Sequence, residues 1–355
     1  MKKKATLSDV ARLANVSIST VSRIATGTAR VNSELERRVR NAAAELGIGL
    51  SRQNRSRVIA FLLSNRDKLH PFHSRVLLGS EDYCAQHGYD LVFCSFRYSL
   101  TASWRELRLP RISERRQSLD GFIIGGTNSH ALLELLTRKR FPFAVLGNNV
   151  VGTWQQQDYD VVWSDDIHGA YEMTRYLQSL GHRKIAYIGN IRLPWFSRCN
   201  NGYTRAMLEA SLQPRTGDFN AGNAQELGYL ATKFILRSGD PVSAILAGDA
   251  PVASGAYQAL RDSELEVPEN VSVAAVGESG SETLDPPLTT VREFPEQVGS
   301  EMARLVLSRV TQPDAAHQQI VVPTQLIKRE SCSRISFVGT YPANIDTRGR
   351  SLDGD

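Results

Sequence analysis

Nothing in this sequence is apolar for long. The longest uninterrupted hydrophobic run is Val58–Leu63, far short of the roughly 20 residues that a membrane-spanning helix needs. Met1-Lys2-Lys3-Lys4 leads into polar residues with no apolar signal region, so a soluble, unexported protein with no membrane partner is expected. Cysteine is scarce. Cys84, Cys94, Cys199 and Cys332 lie far apart without a Cys-x-x-Cys or Cys/His spacing, which argues against a disulfide framework and a zinc site and fits a reducing cytoplasm. Neither Gly-x-Gly-x-x-Gly nor Gly-x4-Gly-Lys-Ser/Thr opens a helix, and no Gly-x-Ser-x-Gly elbow occurs. An enzyme is therefore not expected, and no cofactor or metal is implied.

What is present suffices for a substantial core. The 355 residues, 41% hydrophobic and 22% charged, set an expectation of two or three domains. Charge is unevenly spread: residues 1–57 carry twelve Lys/Arg against four Asp/Glu, and residues 58–355 carry thirty against 33. A head of +8 on a body of −3 fits a head that meets a polyanion. Charge alone fits a solvated basic face equally well.

The head reads as three short helices. Ser8 is placed to cap the first, with Val10, Ala11, Leu13 and Ala14 gathered on one side and Asn15 closing it in a left-handed turn. Ser17 is the next cap, and spacing turns Val21 with Ile24 or Ala25 inward while Ile18, Ser19, Ser22 and Arg23 face solvent. A capping box at Ser33-Glu34-Leu35-Glu36 opens the third, which carries Leu35, Val39, Ala42, Ala43 and Leu46 and stops at Gly47. The tight join between the first two is what a helix-turn-helix requires, though a generic three-helix bundle has the same pattern.

More specific is the run Thr6-Leu7-Ser8-Asp9-Val10-Ala11-Arg12-Leu13-Ala14-Asn15-Val16-Ser17-Ile18-Ser19-Thr20-Val21-Ser22-Arg23. It closely resembles the DNA-binding headpiece of the LacI/GalR family of bacterial transcription regulators. The resemblance implies that Ile18, Ser19 and Arg23 read bases, that Ser17, Thr20, Ser22 and Arg30 lie near phosphates, and that Thr6 belongs to the same DNA-binding set. Asn15 stands where the family usually has glycine, and Ile24-Ala25-Thr26-Gly27 replaces the usual Val-Leu-Asn-Gly. The join to the body, Ile48 to Arg57, lacks the family's usual Tyr-x-Pro-Asn and Ala-Arg-Ser-Leu elements, so a regular hinge helix is not expected. Arg52, Arg55 and Arg57 either follow phosphates and the minor groove or form a flexible basic tether.

From Val58 onward, short apolar runs alternate with helical patterns: strands at 58–63, 89–93, 121–124, 143–146, 161–162, 185–188, 244–246 and 271–276, and helices at 74–87, 169–180, 201–211, 228–236, 253–261 and 297–309. Such alternation implies parallel sheets covered on both faces, and the length implies two doubly wound α/β lobes with a cleft at the strands' carboxyl ends. Asp120-Gly121, Gly181-His182-Arg183-Lys184-Ile185, Gly202-Tyr203, Val267-Pro268 and Pro286-Pro287-Leu288-Thr289-Thr290-Val291 resemble the LacI/GalR regulatory core, which is of the periplasmic-binding-protein type I kind. The expected organisation is a headpiece over 1–50, a short basic linker over 51–57, an effector-binding and dimerisation core over 58–333 and a flexible tail over 334–355.

A sugar pocket needs apolar faces for ring C–H groups and convergent polar groups for hydroxyls. Phe72 and His73 fall where the family has pocket residues, and Trp195 and Phe196 follow a strand at a lobe edge, where one of the two aromatics is expected to be buried. Arg198 stands beside Cys199, which holds the family's arginine position; Ser279 replaces a family aspartate, and Asp249 lies near the family's Asn-Asp pair. Asn148 and Asn149 follow a strand where the family often has an acid, and Asp165 matches a family aspartate with either a ligand or a capping role. The resemblance implies a homodimeric, sequence-specific regulator, normally a repressor, on a pseudo-palindromic double-stranded operator, with a carbohydrate-like effector in the cleft. The alternative is a DNA-binding regulator whose core is a dimerisation or protein-docking scaffold without a small-molecule effector.

Overall fold

The computed structural model describes residues 5–26, 33–48, 57–67, 70–114, 118–152, 159–219, 221–278 and 280–335. The chain divides into two compact units, residues 1–58 with 109–120 and residues 59–108 with 121–355.

The first unit contains helices α1 (Leu7–Leu13), α2 (Ile18–Thr26) and α3 (Ser33–Glu45). Val10, Ala11, Ala14, Val21, Ile24, Val39, Ala42 and Ala43 form their shared core. Two details differ from the sequence reading. Thr6, not Ser8, precedes α1, and the Asp9 carboxylate accepts from its backbone N and hydroxyl at 2.9 and 2.8 Å; the chain thus turns helical one residue before Ser8. Leu13, expected inside, is 47% exposed, because α1 is too short to wrap its whole apolar set around so small a core. Asn15 takes the left-handed φ of 53° expected of it, and Gly47 ends the third helix with φ 64°. The Ser33 side chain, expected to cap α3, lies outside the described residues.

The second unit runs β1 (Val58–Ser64), α4 (Pro71–Gln86), β2 (Asp90–Phe96), β3 (Gly121–Gly126), β4 (Asn128–Ser129), α5 (His130–Arg138), β5 (Phe143–Leu146), β6 (Val150–Val151), β7 (Asp160–Ser164) and α6 (Asp166–Ser179). It continues through β8 (Ile185–Ile188), α7 (Pro194–Glu209), β9 (Arg215–Gly217), α8 (Ala224–Arg237), β10 (Ala244–Ala247), α9 (Ala250–Arg261), β11 (Ser272–Val276), β12 (Thr289–Arg292), α10 (Pro295–Thr311), β13 (Gln319–Val322) and β14 (Gln325–Ile327). One sheet has the order β13-β7-β5-β3-β1-β2, the other β14-β12-β11-β10-β8-β9. Apart from edge strands the two orders are alike, and each has its topological switch beside its first strand, where a ligand crevice forms.

Apolar strands buried on both faces explain the parallel pairing: β1, β3, β5 and β8 are buried almost throughout. The expectation of wholly parallel sheets fails at one place, since β14 pairs antiparallel with β12 at Thr290↔Ile327. Edge strands need only one partner and one buried face, so their apolar pattern is weak. Helix α5 was absent from the sequence reading although Leu132, Leu133, Leu135 and Leu136 bury one of its sides.

The chain passes between the sheets three times: from β7 to α6, from β12 to α10, and from β13 to β14. These crossings bond to one another. Ser164 Oγ donates to Glu293 at 3.2 Å, Asp165 N to the Val322 carbonyl at 2.9 Å, and Thr324 Oγ1 to the Asp165 carbonyl at 3.2 Å. Helices α4 and α10 pack closely because Gly79 and Gly299 sit where a Cβ would collide with the Glu296 and Val76 carbonyls. Ser80 and Ser300 hydroxyls then bridge to the Gly299 and Gly79 carbonyls at 3.1 and 3.0 Å.

The far end of α10 is held by charge. Arg309 donates twice to Asp160, each at 3.0 Å, and Asp160 also accepts from Gln318 N at 2.8 Å. Both residues are buried. Asp160→Ala leaves the guanidinium buried without its counter-charge, at a cost of roughly 3–5 kcal/mol, so a clearly lowered urea midpoint is expected; an unchanged midpoint would rule out this clamp as a main support of the lobe.

Candidate functional site

Two surfaces carry the chemistry, one on each unit. In the head, Ser17 sits ahead of α2, and its Oγ accepts from Thr20 N at 3.1 Å while lying 2.8 Å from both the Ser19 and Thr20 hydroxyls. Val21 and Ile24 turn into the core, which sets Ile18, Ser19, Ser22 and Arg23 outward as their spacing foretells. Ile18 is 54% exposed, an apolar side chain with no role in the head's own packing. Arg38 from α3 donates to the Ala14 carbonyl at 2.8 Å and braces the turn. The outward face of α2 is short and polar, with one forked donor, which suits entry into a major groove. Thr6 is tied to Asp9 as described. Arg30, Arg52 and Arg55 lie outside the described residues; Arg57 is described and exposed.

In the core, a cavity of about 130 Å³ opens between the two sheets. Every wall comes from chain that has just left the carboxyl end of a parallel strand: Arg66 after β1, Asn148 after β5, Asp166 after β7, Trp195 after β8, Asp249 after β10, Glu278 after β11, Glu293 after β12. Helices α4, α6, α7, α9 and α10 start at this rim, so their unpaired backbone N–H groups and positive dipole ends gather around it.

Of the residues expected in a pocket, Phe72, His73, Asn148, Trp195 and Asp249 line this cavity. Asn148 is also a clamp, its amide donating to the Ser164 carbonyl at 2.7 Å and accepting from Ser164 N at 2.8 Å. Phe196 does not face the cavity. Helix α7 starts at Pro194, seven residues before the expected Asn201, and the first turn puts Trp195 at the cavity and Phe196 beneath Gly189 and Gly248. Arg198 is not in the lining either: it donates to both oxygens of Asp166, at 2.9 and 3.1 Å, with its guanidinium 4.5 Å from the Trp163 ring centre. Asp165 caps α6, so the neighbouring Asp166 is the one that reaches the cavity. Ser279 lies outside the described residues.

Sequence reasoning passed over Arg66, His70, Asp166 and Glu293. Arg66 lies over the Trp195 ring, 3.6 Å from its centre, so one face of the aromatic expected to stack on a sugar is already covered. Burial lowers the Arg66 guanidinium to about 10, against the pull of Asp249. Burial likewise takes His70 down to about 4 and His73 well below its usual value, with Arg66 adding to both, so both imidazoles are neutral at pH 7. Burial raises Asp249 to about 6, opposed by the bond from Val252 N and by Arg66. Glu293 rises to about 7 through burial and the nearby Asp166 carboxylate, held back by the Ser164 hydroxyl, with Asp249 adding to the rise. Burial raises Asp166 as well, with Arg198 opposing. Glu278, considered as a carboxylate partner of Asp249, is instead held by Arg292 at 2.6 and 2.8 Å and by Arg329 at 3.1 Å.

A helix-turn-helix head with a core of two doubly wound lobes around a polar cavity defines a class of DNA-binding proteins with a ligand-sized pocket. Residues 6–48 match the family described as bacterial regulatory proteins, lacI family, and residues 174–332 match the periplasmic binding protein-like domain. The ribose operon repressor of Escherichia coli K12 is 28% identical over 92% of this chain and 99% of its own length. The transcriptional repressor PurR of Edwardsiella ictaluri is 28% identical over 94% and 98%. Among solved structures, a complex of the regulator CelR with cellobiose has a TM-score of 0.67 at 28% identity, covering 92% of this chain and 99% of that one. A Lac repressor dimer bound to operator has a TM-score of 0.67 at 22% identity, over 93% and 100%, and supports the fold. The chain thus joins a lacI-family DNA-binding head to a periplasmic-binding-protein-like domain, and its relatives are lacI-family transcription regulators. No helix among the described residues is long and apolar enough to cross a membrane.

The raised Glu293 carboxyl has a consequence for stability. Its folded-state value lies above the ordinary 4.5, so ionisation costs the native state more than the unfolded one, and stability falls as pH rises from about 4.5 through about 7. Glu293→Gln removes this cost. The variant is expected to be more stable than the parent by on the order of 2 kcal/mol above pH 7, with the margin closing toward pH 4.5; a margin independent of pH in thermal unfolding would contradict it.

Proposed function

We propose that this protein is a cytoplasmic, homodimeric repressor that binds a pseudo-palindromic operator through α2 and releases or tightens its hold when a small polyhydroxylated effector, a sugar or sugar derivative, enters the core cavity. The observation that carries the reading is the pairing of a lacI-type head with a cavity whose polar walls all follow strand carboxyl ends. Residues 1–50 act as the head, 51–57 as a basic linker and 58–333 as the effector-binding and dimerising core. Ile18, Ser19 and Arg23 read bases; Ser17, Thr20, Ser22 and Arg30 lie at phosphates, with Thr6 on the same side; Arg52, Arg55 and Arg57 supply further electrostatic affinity. Phe72, His73, Asn148, Trp195 and Asp249 contact the effector, joined by Arg66, Asp166 and Glu293.

The test is operator affinity by fluorescence anisotropy at fixed salt, on a site selected from a random library, with sugars, sugar phosphates and purines as added ligands. A tenfold shift, about 1.4 kcal/mol, is expected from at least one of them. Binding that no ligand moves would favour the docking-scaffold reading, and failure to select any site would sink the DNA-binding one. Arg23→Ala is expected to cost about 1–3 kcal/mol and relax specificity at one position. Replacing Arg52, Arg55 and Arg57 together by alanine should weaken binding to all sequences and flatten its salt dependence; an unchanged slope would leave them a tether only.

A further inference from the structure

We propose that the ligand of the core cavity carries a protonated amine that pairs with Glu293, set among hydroxyl groups: an amino sugar or another hydroxylated amine. The inference rests on the reading of this cavity as the effector site.

Two of the four carboxyl groups that reach the cavity have a cation at ion-pair distance, and a third feels one. Asp166 is bonded to Arg198, with contacts of 2.8–3.1 Å, and Glu278 is bonded to both Arg292 and Arg329. Asp249 gives one oxygen to Val252 N at 2.8 Å and feels the Arg66 charge. Glu293 differs. One oxygen accepts from the Ser164 hydroxyl, and among the described residues no Lys or Arg approaches it to ion-pair distance. Its other oxygen, Oε2, lies beside Gly277, 3.5 Å from where a Cβ would stand. Both residues line the cavity.

An acid taken out of water without a counter-charge is costly for the fold, and the cost is removed when a ligand brings the cation. The field has the right sign. The Asp166 and Asp249 carboxylates, which oppose ionisation of Glu293, draw a cation toward it. An anionic ligand meets four carboxyl groups and, of the cavity's own cations, an Arg66 engaged with Trp195 and an Arg75 paired with Glu296.

Three residues of the cavity lining also carry buried polar atoms without a hydrogen-bond partner among the described residues, so the surroundings of the ammonium are polar. His73 is 3% exposed, and its Nδ1 has no partner; the same holds for His70 Nδ1 and Arg66 Nε. All three residues line the cavity. A neutral imidazole serves a hydroxyl as donor or acceptor, and the guanidinium N–H needs an oxygen. The complement is a compact molecule with an ammonium at the Glu293 side and hydroxyl or ring oxygens toward Arg66 and the histidines.

The test is titration calorimetry of the full chain with D-glucosamine, D-galactosamine and D-mannosamine against glucose, galactose and mannose, near pH 6.5 in two buffers of different ionisation enthalpy. At least one amine is expected to bind tenfold or more tightly than its neutral parent, with release of a proton as Glu293 ionises. Glu293→Gln should abolish that margin. A neutral hexose that binds as tightly as its amine, a margin that survives Glu293→Gln, binding without proton release, or no binding by any of the three amines would each overturn the proposal. The effector reading is judged separately, by operator affinity with the bound ligand present: an amine that binds through Glu293 yet leaves operator affinity unchanged upholds the pairing and defeats the regulatory role.

Discussion

A parallel strand cannot be followed by its neighbour without a return over the sheet, and this constraint organises the core. Each strand delivers the chain at its carboxyl end, and each returning helix begins there, so strand ends and helix N-termini collect at one edge of each sheet. Two sheets built in the same order present that edge to a common cavity. The polar residues of the site are what the turns between strand and helix supply: caps such as Asp249, first-turn residues such as Asp166 and Trp195, and the residue Glu293 just ahead of α10. The three crossings between lobes lie in the same region and share their hydrogen bonds with the cavity wall through Ser164 and Glu293. Cavity wall and lobe crossings are therefore built from overlapping residues.

The head was almost wholly legible, because its helices are short and their signals local. A cap, an apolar spacing and a left-handed residue all fall within a few positions of one another, as at Ser17, Val21 and Asn15. The first cap shifted from Ser8 to Thr6, since Asp9 reaches back to the earlier residue, and Leu13 turned outward. In the core the alternation gave the class and most elements, and the buried strands β5 and β8 were bounded to the residue. The antiparallel β14 left too faint a pattern.

The cavity was legible in Phe72, His73, Asn148, Trp195 and Asp249 and illegible in Asp166 and Glu293. Phe72, His73 and Trp195 stand out by type beside a strand end. Asp166 is indistinguishable from Asp165 until the cap of α6 is seen to use the first of them. Glu293 acquires its character only through Ser164, 129 residues earlier, and through carboxylates from two other segments. Arg198 stands one residue before the position of the family's arginine, and its charge is engaged with Asp166. Pairings over such separations depend on how two lobes meet, which no local pattern encodes.

Arg66 and Trp195 come from opposite lobes, and the guanidinium rests on the indole face. The cavity thus arrives with a tenant. The contact is worth about 0.5–2 kcal/mol of attraction, and the same guanidinium feels the Asp249 charge. The same contact ties the two lobes together at the cavity wall.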